Sequence, residues 1–382
     1  MSKPSIYLDY AAATPMSVAV TAAMTPYLRD QFYNPSATYQ AAINIKKDIE
    51  LARSQVAEVL GSRSSEVVFS AGGTEANNMA IHGVMSQFPD ANIVISSIEH
   101  ESVREPAAQF DCKEASVDER GIIDTEKLKN LIDDKTVLVS IMHANNEIGT
   151  VQPIRRIAQI VKDVRASRQK SGNKLPLYLH TDACQAANYL DLHVSRLGVD
   201  LMTLNGGKIY GPKQSGALFV KAGLQLNPLI RGGGQERGAR SGTENVAGIV
   251  GFGTALVEAQ QLKNTELKRL SELQKLFFDN VTKNIPTATI NGSLKLRLPN
   301  NVHITIPGQD NERLLIQLDE AGIMAAAGSA CSASHEESSH VLKACGITDK
   351  NARASLRFTF GRQTTTQDIE KTIQTLAKIT AQ

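Results

Sequence analysis

Three stretches of the 382-residue chain place reactive side chains where an α/β fold could use them. At 69–78 the text FSAGGTEANN runs from an apolar segment through Gly72, Gly73 and Thr74 into a helical pattern. Amide N–H groups, the helix dipole and a hydroxyl would converge there as a cup for a phosphate, although a Gly-Gly before a helix is more often a plain turn. At 177–182 the run LYLHTD ends on Asp182. A carboxylate at the carboxyl end of a strand stands where open α/β sheets bind ligands, and also where a simple helix N-cap would stand. Lys208 follows in NGGKIYGP, again just after an apolar run. Most lysines are solvated surface groups, but an amine on a glycine-flanked strand-end loop is suited to a Schiff base. A phosphate cup, an acid for a ring nitrogen and a lysine for an imine are together what pyridoxal 5'-phosphate requires of a protein.

The elements that would hold these groups are written in short aliphatic runs at 67–70, 92–96, 136–142, 177–181, 201–204 and 217–220, with helical stretches between them. Runs apolar on both faces, separated by amphipathic segments, predict a mostly parallel sheet covered by helices. This is an α/β fold, with a large cofactor-binding domain expected over 15–255. The glycine-rich RGGGQERGARSGT at 231–243 leads into helical text at 245–284, and a domain change is expected near residue 256. Beyond it, strand-like runs at 302–306 and 355–359 alternate with helices at 311–320 and 366–379, an α+β pattern. A smaller domain is therefore expected from 1–14 and 256–382.

Composition narrows the class of function. Apolar residues at 42% argue for a globular chain and against disorder. Forty-one Lys and Arg against 39 Asp and Glu leave +2, too weak a field to hold a polyanion, so nucleic acid is not expected as a partner. Cys112, Cys184, Cys331 and Cys345 have no metal-binding spacing and are too few to staple a chain of this size, which predicts a reducing compartment and no metal site. The start, MSKPSIYLDYAAATP, lacks the apolar core of a secretory signal, and no run approaches 18 apolar residues. A cytoplasmic protein with no membrane span is expected.

Eight stretches, in order, carry a resemblance. They are YLDYAAATP, SIEHESV, SIMHANNEIGTVQP, HTDACQAA, KIYGPKQSGALFV, GGGQERGARSGTENVAGIVG, GSACSAS and SLRFTFGR. With them the chain resembles the cysteine desulfurases, which have the pyridoxal-phosphate fold-type I architecture of the aminotransferases. The resemblance implies that Lys208 holds the cofactor as an imine, that Asp182 pairs with its ring nitrogen, and that His100 stacks on the ring and serves as an acid/base group near the scissile sulfur. It places Gln185 near the cofactor's phenolic oxygen and Asn146 beside cofactor and substrate. The phosphate would lie on Gly73, Thr74 and Asn205, with Thr243 supplied by the other subunit of a homodimer. Arg357 would clamp the substrate carboxylate. Cys331, among the small residues of AAAGSACSAS, matches the sulfur-accepting nucleophile, on a segment whose composition predicts a loop with little packing. The implied reaction converts L-cysteine to L-alanine, the sulfur passing as a persulfide to an acceptor protein such as an iron–sulfur scaffold or a thiolation enzyme.

This chain also departs from the family text. Where many members read Ser-Gly-His-Lys, it has Asn205-Gly206-Gly207-Lys208, losing an imidazole and a hydroxyl from the cup. Tyr39 and Ala42 stand where the family often has His and Gly, and the chain ends at Gln382 without the longer tail that in some relatives docks a scaffold. Selenocysteine lyase, and a catalytically weak scaffold of a sulfur-transfer complex, are the competing expectations.

Overall fold

The computed structural model describes residues 5–328 and 338–381. Its centre is a seven-stranded sheet in the spatial order Val67–Ser70, Gly216–Val220, Leu201–Asn205, Tyr178–Asp182, Thr136–Ser140, Asn92–Ser96, Asp111–Ala115. Gly216–Val220 runs antiparallel to both its neighbours, and the remaining pairings are parallel. Asn92–Ser96 and Thr136–Ser140 are buried at every position. Helices cover both faces, so such strands read as unbroken apolar runs. The edge strand Asp111–Ala115 reads DCKEA and is only partly buried, which hid it from a search for such runs.

A three-stranded antiparallel sheet of Thr289–Ile290, Asn301–Thr305 and Ser355–Thr359 forms a second layer with the helices Asn311–Glu320 and Thr366–Thr380. Its core holds Phe277, Phe358, Phe360, Leu314 and Leu376, and Ile6 and Leu8 from the N-terminal segment join it. The helix Val246–Asn284 continues unbroken through residue 256. Ile249, Phe252 and Leu256 belong to the core under the large sheet, while Leu270, Leu273 and Phe277 belong to the second core. Among the described residues no helix is long and apolar enough to cross a membrane.

The glycine-rich loop is tied down by a buried ion pair. Arg53 donates to both carboxylate oxygens of Glu236, at 2.6 and 2.8 Å, and Phe69 N donates to Glu236 Oε2 at 2.9 Å. Both side chains are 4% exposed. Without Glu236, Arg53 would keep only the half-exposed Glu50 at 3.1 Å and the Val67 carbonyl, and breaking a buried pair costs about 3–5 kcal/mol. Glu236→Ala is therefore expected to lower the unfolding free energy by about 3 kcal/mol or more in urea titrations, with Arg53→Met/Glu236→Leu recovering much of the loss. A change below about 1 kcal/mol would show that the pair is dispensable.

Candidate active site

Five strands of the sheet, all running in the same direction, deliver a candidate residue at or beyond their carboxyl ends. Ser70 is followed by Gly73, Ser96 by His100 and Ser140 by Asn146, Asp182 ends its own strand, and Asn205 is followed by Lys208. That end of an open α/β sheet is where its ligand crevice lies.

The cup takes its shape from two glycines. Gly72 has φ +113°, open to glycine and costly for other residues, and Gly73 begins the helix Gly73–Met85. A Cβ on Gly73 would stand 2.6 Å from Cys184 Sγ, so no side chain fits there. First-turn amides have no partner within a helix and remain for an anion. Asn205 Oδ1 accepts from Gly207 N at 3.0 Å, and its Nδ2 lies 3.4 Å from the place a Gly73 Cβ would take. Thr74 sits exposed in the first turn. At Gly207, φ is not positive and a Cβ would meet only ordinary contacts, the nearest at 3.5 Å from Asn205 Oδ1. Backbone conformation thus leaves room for a side chain there.

Asp182 is 7% exposed, and both its oxygens are bonded: Oδ1 accepts from Cys184 N at 2.9 Å and Oδ2 from Asn77 Nδ2 at 2.7 Å. Asn77 also donates to Ser102 Oγ at 2.8 Å. His100 caps the helix Glu101–Ala107, its Nδ1 accepting from Ser102 N at 3.0 Å and lying 2.9 Å from Ser102 Oγ. Burial holds the His100 imidazole below its ordinary pKa, against the pull of Asp182 and with Lys208 adding to it. Next to His100, Glu99 is fully buried and its carboxyl is pushed up to about 8 by burial. It is anchored by Ser96 Oγ and Met142 N.

Lys208 Nζ donates to the carbonyls of Ala11 and Ala12, each at 2.7 Å, and Gln185 Nε2 donates to Ala11 O at 3.0 Å. The N-terminal segment therefore lies across the lysine turn, where Thr14 N and Oγ1 both donate to Gly207 O. Arg357 is brought in by the strand Ser355–Thr359. It is 2% exposed, donating to Asn146 O at 3.1 Å and to Asp9 Oδ1 at 2.6 Å, while its Nε has no partner among the described residues.

Two candidate residues are not gathered here. Thr243 is exposed on the loop before the long helix, and Cys331 lies outside the described residues. The residues flanking its stretch are fixed on the site. Ala326 N donates to Arg357 O at 3.1 Å, Ser339 Oγ donates to Glu147 Oε2 at 2.6 Å, and His340 Nε2 lies 2.9 Å from Glu99 O.

Asp9, Asn77, Ser102 and Glu99 were not singled out from sequence. Asn77 had a signal, since it lies four residues after Gly73 and so on the same helix face.

The model of the aminotransferase class-V family matches residues 6–372. The chain is 40% identical to a protein named cysteine desulfurase IscS from Dictyoglomus turgidum, over 99% of this chain and 95% of that one. It is also similar to the solved NifS-like protein from Rickettsia africae, with a TM-score of 0.88 at 32% identity over 99% of this chain and 100% of that one. A structure described as SspA in complex with cysteine matches with a TM-score of 0.79 at 32% identity, covering 93% of this chain and 99% of that one.

Proposed function

The chain belongs to the aminotransferase class-V family and is a cysteine desulfurase, and we propose that it uses pyridoxal 5'-phosphate on Lys208 to move the sulfur of L-cysteine onto Cys331. The observation that carries the cofactor assignment is the convergence of a doubly bonded buried carboxylate, Asp182, with Lys208 and the glycine-walled cup at one end of the sheet. That donor set fits the cofactor's three demands: an acid at the ring nitrogen, an amine for the aldehyde and amides for the phosphate. When bound, the cofactor supplies an electron sink that acidifies the substrate's α-carbon and loosens its Cβ–S bond.

Within this reading Lys208 Nζ binds the cofactor and then carries the α-proton. Asp182 holds a proton at the ring nitrogen, Gln185 and Asn146 orient the ring and substrate, and His100 serves the scissile sulfur. The phosphate rests on Gly73, Thr74 and Asn205, with Thr243 of the partner subunit closing the cup. Arg357 takes the substrate carboxylate, for which a guanidinium is the apt partner. The Cys331 thiolate attacks the substrate sulfur, an S–S bond forms as Cβ–S breaks, and the electron pair left on Cβ takes a proton to give L-alanine.

A homodimer is favoured by the exposed apolar side chains Val18, Leu28, Phe32 and Leu51 near the N-terminal helices and by the exposed Thr243. The persulfide passes to an acceptor protein, with iron–sulfur assembly and thiolation as the two kinds of pathway. Free Cys112, Cys184 and Cys345 fit a reducing, cytoplasmic setting. The division into 15–255 and a smaller unit from 1–14 and 256–382 is supported by the separate cores, with the long helix shared between them.

The test is stoichiometric. Purified protein with pyridoxal phosphate, L-cysteine and a thiol reductant is expected to give alanine and sulfide in equal amounts, and no alanine would overturn the reading. Parallel assays with L-selenocysteine separate a desulfurase from a selenocysteine lyase, and a cofactor band near 400 nm separates either from a scaffold.

Cofactor retention tests the altered cup. One charged hydrogen bond is worth about 1.5–3 kcal/mol, roughly a tenfold to hundredfold change in affinity. Gly207→His, which the backbone permits, is expected to retain cofactor through dialysis better than the parent protein. Equal loss from both would mean that Asn205 and the amides already complete the cup.

A further inference from the structure

Asn77 is 0% exposed and has no part in the chemistry so far, yet it touches both Asp182 and the Ser102 hydroxyl that meets His100 Nδ1. A carboxylate only accepts hydrogen bonds, so the Asn77 atom 2.7 Å from Asp182 Oδ2 is the NH2 nitrogen, and this fixes the amide's orientation. The second hydrogen of that NH2 goes to Ser102 Oγ at 2.8 Å. Ser102 Oγ, having accepted, has its own hydrogen to place. The acceptor it meets among the described residues is His100 Nδ1, 2.9 Å away. Ser102 N donates to the same nitrogen at 3.0 Å. Two donors converging on Nδ1 require its lone pair, and the hydrogen of the neutral ring must then be on Nε2. Asn77 Oδ1 has no partner among the described residues, so the two bonds from the NH2 are what hold the amide.

We propose that Asn77 is a positioning residue whose single NH2 group bonds Asp182 and, through Ser102, holds His100 as the neutral Nε2–H imidazole. His100 in the resting enzyme therefore offers a hydrogen, not a lone pair, from the nitrogen not tied to Ser102. In that form Nε2 can donate a hydrogen bond to sulfur and is not the base that takes a proton from the substrate thiol. Burial, which disfavours the imidazolium, works in the same direction. The charged groups acting on His100 are Asp182, Lys208, Glu101 and Glu147. Loss of Asn77 removes the bond that directs Ser102 and leaves Asp182 with one donor fewer, and both changes favour the imidazolium.

The inference rests on the desulfurase reading only for the place of His100 in turnover, because its tautomer can be read with or without cofactor. The test is 15N-histidine NMR of the full chain, cofactor-loaded and cofactor-free, with His100 assigned by the signal missing from His100→Gln. The wild type is expected to show Nδ1 in the unprotonated range and Nε2 in the protonated range. In Asn77→Ala the His100 titration is expected to rise by about half to one pH unit, the worth of one hydrogen bond, with the acid limb of kcat/KM moving alike. Should that variant fail to fold, Ser102→Ala removes the same bridge and is expected to shift the titration in the same direction. A protonated Nδ1 in the wild type, or an unmoved titration in whichever variant folds, overturns the proposal. Alanine formation by the wild type is scored separately and bears only on the desulfurase reading.

Discussion

Lys208→Ala is expected to lose the cofactor band near 400 nm and to reduce alanine formation by about a thousandfold or more. A positioned general base alone contributes about 10²–10⁴, and in the proposed mechanism this lysine also anchors the cofactor. Lys213 is the nearest candidate to take over. It lies five residues further on, and its Cα is 3.9 Å from where a Gly207 Cβ would stand. Its amine, however, is bonded to Thr14 O at 2.5 Å, which ties it to the N-terminal segment. Truncating Lys208 also takes its donor from the part-buried carbonyl of Ala12, while Ala11 O keeps the bond from Gln185 Nε2. A thermal melt is needed to separate misfolding from lost chemistry. A folded Lys208→Ala protein that keeps the band, or that still forms alanine, would remove Lys208 from the mechanism. If the band vanishes only in Lys208→Ala/Lys213→Ala, Lys213 shares the role.

What the sequence made legible follows from how a doubly covered parallel sheet writes itself. The strand ending at Ser96 carries aliphatic side chains on both faces, so its carboxyl end, four residues before His100, could be located from sequence, whereas the strand ending at Asp182 reads YLHTD and was marked by the apolar Leu177 and Leu179 and by the carboxylate that closes it. The same rule failed at Asp111–Ala115, because an edge strand with solvent on one side does not need apolar residues. Contacts distant in sequence were illegible for a different reason. Asp9 and Arg357 are 348 residues apart, and nothing in either motif tells that the N-terminal segment pairs with the strand Ser355–Thr359. Asn77 was legible in principle, one helical turn beyond Gly73, but a buried asparagine on a helix facing a sheet has the same sequence signature as a packing residue. Whether a side chain fits at Gly207 is a matter of backbone conformation, which the sequence does not carry.

Cys331→Ser is expected to leave the cofactor spectrum intact while reducing alanine formation by about a thousandfold or more, as removal of a covalent nucleophile does, and to abolish enzyme-bound persulfide. The nucleophile must be a thiolate, so the question is whether another cysteine can supply one. Cys345 is pushed up to about 12 by burial, with Asp118 and Glu147 adding to it, and Cys112 to about 11 by burial and then Glu114. At neutral pH fewer than about one in a thousand of either thiol is ionised. Cys184 is the more serious rival because it stands against Gly73 at the cup itself. Burial raises its thiol well above the ordinary value, and the Asp182 carboxylate beside it pushes the same way, outweighing the opposing pull of Lys208. A cysteine held neutral by burial, with Asp182 adding to it, is a poor sulfur acceptor. Peptide mapping after a single turnover should thus find the persulfide sulfur on Cys331 alone. Recovery of it on Cys184, or turnover in Cys331→Ser within tenfold of the parent, would mean that the site itself accepts the sulfur and that the segment around Cys331 has another task.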